Sequence, residues 1–253
     1  MTDSLPASFL DVPLAHRAYH DRDMGRPENS LAAVTAAIEA GYGIEIDVQL
    51  SSDGEAMVFH DYDLARLTGE QGPIRARSAS ELSAIALTGG EDCIPTLSRV
   101  LSLVAGRAPL LIEIKDQDGA MGPDVGPLEA ATAKALGGYE GPVAVMSFNP
   151  HSVAAMAKLA PGIPRGLTTS AYDPADWPLS KDTCDRLREI PDIERTGACF
   201  ISHEATDLTR PRVTALRASG LAVLSWTVKS QAQEDAVRPF CDNITFEGYA
   251  ARR

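Results

Sequence analysis

Short apolar, β-branched runs alternate with helical stretches along the whole chain. Residues 13–18 read as a first strand and 43–50 as a second. Between them Asn29 or Ser30 caps a helix over 31–40, which Gly41 ends. Ser51-Ser52-Asp53-Gly54 reads as a turn, and 57–60 as a further extended piece. Helical stretches follow at 80–87 and 96–105, then a strongly apolar strand at 109–115. Beyond it come helix 128–136, strand 143–148, helix 152–159, strand 165–169, helix 183–190 and strand 198–203. Helix 211–218, strand 222–228, helix 231–237 and strand 243–246 complete the series. Repeated βα units with apolar strands predict a parallel sheet covered by helices.

One connection breaks the pattern. Asp47 and His60 stand too close in sequence for a parallel crossover, which takes about a dozen residues or more and usually a helix. Asp53-Gly54 is a strong hairpin signal, so the second strand is expected to overshoot the sheet and return antiparallel. His60 then comes back beside the carboxylates from which the chain departed. Without the return strand eight strands remain, the number of a closed (β/α)8 TIM barrel. The expected architecture is a single barrel domain over residues 1–253, with an insertion at about 54–108 after the second strand.

Composition narrows the partners. A net charge of −12 argues against a nucleic-acid partner, because phosphate backbones demand basic stripes. It also argues against stable association with anionic membranes. Residues 1–12 have neither a basic start nor an apolar run and are not read as a secretory signal, and no segment is apolar for long enough to span a bilayer. Cys93, Cys184, Cys199 and Cys241 are widely spaced, as expected of reduced thiols in a cytoplasmic protein rather than of a zinc cluster.

Side chains alternate across a strand, so Glu45 and Asp47 share one face, as do Glu113 and Lys115. Ile44, Ile46 and Val48, and likewise Ile112 and Ile114, take the opposite face. Inside a barrel the three carboxylates either join an ion-pair network with Lys115 and Arg17 or share one divalent cation, Mg²⁺ or Ca²⁺. His16 ends the first strand beside Arg17, and His60 ends the returning strand beside Asp61. Two histidines flanking a carboxylate cluster form a candidate acid/base pair, since imidazole titrates near neutral pH. His203 closes a later strand and is a candidate for support behind the site. His20 and His151 carry weaker cases, one in a charged loop and the other at a helix start.

The ordered series His16-Arg17, Pro27-Glu28-Asn29-Ser30, Glu45-Ile46-Asp47-Val48, Ser52-Asp53-Gly54, His60-Asp61 and Glu113-Ile114-Lys115 resembles the glycerophosphodiester phosphodiesterases. Pro95-Thr96-Leu97, Ser147-Phe148 and Trp226-Thr227-Val228 extend the resemblance over nearly the whole chain. It implies a (β/α)8 barrel with a small insertion. It further implies that Glu45, Asp47 and Glu113 bind the divalent metal and that His16 and His60 act as general acid and base. Arg17 and Lys115 would contact the phosphate of a small-molecule phosphodiester. Asn29 would hold the first active loop or cap the helix, and Trp226 would line the pocket mouth or belong to the core. The family usually has Gly after His-Arg, where this chain has Ala18, and its stretch 18–26 is longer and more charged. The family's Thr-Asp on the last strand appears here as Thr245-Phe246-Glu247, so no role passes to Glu247.

The activity expected is metal-dependent hydrolysis of glycerophosphodiesters to glycerol phosphate and an alcohol. The rivals are a lysophospholipase D, a metal-dependent sugar isomerase on the same barrel, and a non-catalytic barrel that binds a phospho-ligand.

Overall fold

The computed structural model describes residues 4–253; residues 1–3, part of the stretch read above for a leader, lie outside the described residues. The elements in chain order are α1 (Ser8–Asp11), β1 (Leu14–Ala15), α2 (Leu31–Glu39), β2 (Gly43–Leu50), β3 (Ala56–Val58), α3 (Ala79–Leu82) and α4 (Leu97–Val104). Next are β4 (Leu110–Ile114), α5 (Pro127–Leu136), β5 (Val143–Ser147), α6 (Pro150–Leu159), β6 (Arg165–Thr169), α7 (Lys181–Arg188) and α8 (Ile193–Thr196). The last are β7 (Phe200–Glu204), α9 (Pro211–Ala218), β8 (Ala222–Val228), α10 (Gln231–Val237) and β9 (Asn243–Phe246).

The strands hydrogen-bond in the order β1-β9-β8-β7-β6-β5-β4-β2-β3, and β1 also pairs with β2. Eight parallel strands thus close a barrel with helices between them, and β3 is bonded outside the ring. No helix among the described residues is long and apolar enough to cross a membrane. By internal packing the chain falls into two compact units. One comprises Leu14–Lys115 and Gly126–Val143; the other comprises the residues up to Pro13, Asp116–Val125 and Ala144–Arg253.

In the first unit, β2 is buried on both faces from Gly43 to Gln49, as a barrel strand must be. Its hairpin forms for local reasons. Ser51 Oγ donates to Asp53 Oδ1 at 2.6 Å and accepts from the Glu55 amide at 2.8 Å, while Gly54 takes φ 84°. β3 then runs antiparallel, with Val48 opposite Val58 and Leu50 opposite Ala56. From β3 to the start of α4 the chain builds its own small core from Met57, Phe59, Leu64, Leu67, Ile74, Leu82, Leu87 and Ile94. α4 buries Leu97, Val100, Leu101 and Val104, the i, i+3, i+4, i+7 stripe of an amphipathic helix. Each such side chain stabilises the fold by about 1.5–3 kcal/mol.

Three expectations shift here. The cap of α2 is Ser30, whose Oγ accepts from the Ala33 amide at 3.1 Å, so Asn29 is released for another task. The expected helix 80–87 shrinks to α3. A Ser78–Glu81 capping box starts it, but the Leu87 amide bonds Asp92 O and Leu87 bridges Thr68, so extended pairing takes over. The expected first strand, 13–18, contracts to Leu14–Ala15, because Arg17 and Ala18 turn left-handed.

In the second unit, β6, β7, β8 and β9 pair in parallel register. Gly166 on β6 lies flat against the Phe200 ring, and a Cβ there would sit 2.4 Å from Cε2. Asn243 Nδ2 donates to Phe9 O and Val12 O at 2.7 and 2.6 Å, tying the N-terminal segment to β9. α1 and α8, of four residues each, carry too little periodicity to be read from sequence.

Candidate active site

The acidic centre lies in the first unit, on β2 and β4. Asp47 is directly opposite Glu113 and Glu45 opposite Leu111, and parallel partners project to one face. Glu45, Asp47 and Glu113 are buried, and one carboxylate oxygen from each lies within 4.8 Å of the others. Burial, with the charges of Asp47 and Glu113 added to it, raises the Glu45 carboxyl well above its ordinary range. Burial acts on Asp47 in the same sense. There Lys115, His60, Arg17 and the Asn29 amide outweigh it and push the carboxyl below its ordinary range.

The turn after β1 brings a cation to this centre. His16 opens the turn and is half-buried. Arg17 and Ala18 take φ 52° and 64°, the left-handed region that residues with a Cβ avoid. This bend aims the Arg17 amide at Glu45 Oε2 (2.9 Å) and the Ala18 amide at Glu45 O (2.7 Å). Ala18 therefore adopts the conformation for which the family's usual glycine is suited. Asn29, also left-handed at φ 59°, donates from Nδ2 to Asp47 Oδ2 at 3.0 Å and accepts from the Asp47 amide at 3.3 Å. It is a clamp on a carboxylate.

Two cations flank the cluster. Lys115 Nζ lies 2.7 Å from Glu113 Oε1 and 3.5 Å from Asp47 Oδ1. Burial opposes the charge on Lys115, but Glu113 and Asp47 override it and raise its pKa. The Arg17 guanidinium bonds Glu28 through Nη1 at 2.8 Å and stands 3.8 Å from Asp47 through Nε. That Nε is buried without a hydrogen-bond partner.

His60 follows β3, returned by the hairpin as expected. Gln49 Nε2 donates to His60 O at 3.1 Å, and His60 Nδ1 meets Asp61 Oδ1 at 2.6 Å. An ionised carboxylate only accepts, so Nδ1 carries the proton and Nε2 is the ring atom able to exchange one. Burial would raise Asp61, but the bonds from His60 and Arg66 outweigh it and lower it. Glu28, Gln49, Asp61 and Arg66 were given no role from sequence. The acidic neighbour beside Asn29 and the one beside His60 were visible there; Arg66 left no signal.

Trp226 and His203 belong to the second unit. Trp226 Nε1 donates to Ser202 O at 3.0 Å and Thr169 O at 3.2 Å, and its ring meets Phe148 edge-on at 5.4 Å. His203 is fully buried between Thr169 Oγ1 (2.8 Å) and Asp207 Oδ2 (3.2 Å). Burial lowers its pKa against the pull of Asp207. Glu247 pairs with Lys229 at 2.9 Å.

Three carboxylates converging on a barrel face, with Arg17 and Lys115 against them and a histidine backed by a carboxylate, make an arrangement chemically able to support ester chemistry on an anion. The donor set is all oxygen, and the mutual repulsion at Glu45 is what a cation would relieve, so these residues fit a metal ion.

Comparison with known proteins agrees. The glycerophosphoryl diester phosphodiesterase family matches residues 16–242. A glycerophosphodiester phosphodiesterase of Bacillus altitudinis is 29% identical over 229 residues, 87% of this chain and 86% of that one. One from Caldanaerobacter subterraneus is 34% identical over 151 residues, 56% of this chain and 60% of that one. Among solved structures, an Oleispira antarctica phosphodiesterase in complex with the product sn-glycerol-3-phosphate shares the fold, with a TM-score of 0.77 at 24% identity over 96% of each chain. The molecule is thus a phosphoric diester hydrolase. The chain belongs to the glycerophosphoryl diester phosphodiesterase family.

Proposed function

We propose that this protein, acting as one catalytic domain, hydrolyses glycerophosphodiesters to glycerol phosphate and an alcohol. Glu45, Asp47 and Glu113 would hold one divalent cation, Mg²⁺ or Ca²⁺. The observation that carries the reading is the convergence of these carboxylates within 4.8 Å, beside Arg17 and Lys115. The product held by the Oleispira phosphodiesterase supports a glycerol phosphate product here.

A phosphodiester is a stable anion, so its cleavage requires charge neutralisation, a nucleophile and a proton for the leaving alkoxide. When bound, the cation supplies Lewis-acid stabilisation of a nonbridging oxygen. Arg17 offers the unspent Nε donor of its planar fork and Lys115 a buried ammonium, and both oppose the phosphate charge. His60, with Nδ1 tied to Asp61, moves a proton at Nε2. His16 is the second proton-transfer group: one histidine takes the nucleophile's proton and the other protonates the departing oxygen as the P–O bond breaks. The nucleophile is water, which gives glycerol phosphate directly, or the neighbouring glycerol hydroxyl, which expels the alcohol to give a cyclic phosphate that water then opens to glycerol phosphate.

Asn29 serves the site by fixing Asp47. Trp226 stays the pocket-mouth residue that the family resemblance implies, and with Phe148 and Trp177 it forms a half-exposed apolar surface within its own unit. That surface favours a second reading, a lysolipid substrate cleaved by the same chemistry. All four cysteines are free, which suits the reducing cytoplasm.

The test is a panel of short-chain and acyl glycerophosphodiesters with Mg²⁺, Ca²⁺ or chelator, following glycerol phosphate and cyclic phosphate directly. Turnover of the short-chain diesters supports the first reading, and preference for acyl substrates the second. Metal-dependent binding without turnover of any diester would refute both.

A further inference from the structure

The cations and carboxylates around His60 form one chain of bonds that reaches Arg17. His60 Nδ1 bonds Asp61 Oδ1 at 2.6 Å. Arg66 grips the same Asp61 with two bonds, Nε to Oδ2 at 2.6 Å and Nη2 to Oδ1 at 2.8 Å. Its other edge grips Glu28, with Nη1 to Oε2 and Nη2 to Oε1 both at 2.8 Å. Glu28 Oε1 in turn accepts from Arg17 Nη1 at 2.8 Å. One guanidinium thus forks onto two carboxylates, one holding the histidine and the other holding Arg17.

The geometry is built rather than incidental. Arg66 lies in a turn whose neighbours Leu64 and Leu67 are sunk in the small core of the insertion. The Ala65 amide bonds Asp63 Oδ1 at 2.9 Å, and Thr68 bonds back to Leu64 O through both its amide and its hydroxyl. The turn therefore fixes where the Arg66 stem leaves the backbone. Glu28 and Asp61 are both held below their ordinary range despite partial burial, so both stay ionised for the fork.

We propose that Arg66 is a positioning residue for catalysis. By bridging Asp61 and Glu28, the insertion sets the His60 tautomer and the Arg17 guanidinium together, so proton transfer and phosphate binding share one brace. This rests on the roles assigned above to His60 and Arg17. A plain surface ion pair would do less: Arg66 is 48% exposed at its side chain, and exposed pairs contribute little to stability.

Kinetics on one glycerophosphodiester test it, with Arg66→Ala, Arg66→Lys, Glu28→Gln and Asp61→Asn compared with wild type and with His60→Ala as the inactive reference. Arg66→Ala should lower kcat and raise KM together, cutting kcat/KM by about 10–100-fold. Glu28→Gln should act mainly on KM, and Asp61→Asn mainly on kcat. Arg66→Lys keeps the charge but cannot make two forks, so it should recover only part of the loss. In ¹⁵N spectra the His60 ring should be the Nδ1–H tautomer in wild type and a mixture in Arg66→Ala. The proposal is overturned if Arg66→Ala stays within about two-fold of wild type in both constants. It is equally overturned if the loss only follows a lowered unfolding midpoint while the His60 tautomer is unchanged. Active His60→Ala, or wild type without turnover, would remove the underlying assignment and the proposal with it.

Discussion

Replacing Glu45 by Gln removes one of three buried titratable carboxyls while keeping an oxygen for the Arg17 amide. In the metal-free protein, burial and then the charges of Asp47 and Glu113 raise the Glu45 carboxyl well above its ordinary 4.5. The folded state then holds a proton that the unfolded chain has released. Where the folded state binds more protons, stability falls as pH rises, so the loss begins near pH 4.5 and grows upward until the folded carboxyl itself ionises. One proton gives a slope of at most about 1.4 kcal/mol per pH unit. At pH 7 that slope caps the penalty at about 3 kcal/mol. Gln carries no such penalty. Metal-free Glu45→Gln should therefore be more stable than wild type at pH 7, by up to that amount, or at most roughly 6–12 °C in Tm. The gap should shrink towards pH 4.5. A cation at 100 times its Kd adds about 2.7 kcal/mol to wild type and less to the variant, so it should narrow or reverse the order. Urea unfolding between pH 5 and 8, in EDTA and in Mg²⁺ or Ca²⁺, measures both effects. A variant less stable than wild type in EDTA at pH 7, or a gap that does not widen with pH, would refute the reasoning.

Three further outcomes are expected. His16→Ala and His60→Ala should each abolish turnover and leave the circular dichroism spectrum unchanged; near-normal activity in both would remove the histidines from the mechanism. Asn29→Ala strips the Asp47 amide and Oδ2 of a buried partner, which costs about 1–3 kcal/mol in urea unfolding, and should weaken cation binding by about 10–100-fold in calorimetry. Unchanged affinity would contradict the clamp. Ala18→Gly relieves a Cβ at φ 64°, worth about 1–2 kcal/mol, against about 0.4–1 kcal/mol of added chain entropy in the unfolded state. Net stabilisation of up to about 1.6 kcal/mol is expected, and a loss of stability in urea would contradict the strain argument.

Strand β2 is legible to its residue limits because Ile44, Ile46 and Val48 alternate with polar positions between Gly41 and the Ser51 to Gly54 turn. The hairpin was equally legible, since Asp53-Gly54 states its turn locally and the short spacing to His60 rules out a crossover. Alternation alone puts Glu45 and Asp47 on one face of β2 and Glu113 and Lys115 on one face of β4, and the parallel register brings Asp47 opposite Glu113. Less was legible where two local signals competed. Asn29 and Ser30 are both good caps, and the choice fell to Ser30 because Asn29 is drawn to Asp47, 18 residues on in sequence. The helix expected at 80–87 lost its second half to pairing with Asp92 and Thr68, contacts that periodicity does not report.

By itself, the sequence determined the barrel class, the returning hairpin and the grouping of charges on strands. These depend on period, turn chemistry and spacing, which act over a few residues. Only the tertiary structure decided how the groups are held: the left-handed bend at Arg17 and Ala18, the Asn29 clamp, and the Arg66 brace between Asp61 and Glu28. Arg66 and Glu28 are 38 residues apart. A bond of that span exists only after the insertion has packed its own core and aimed the turn, so no local pattern could announce it.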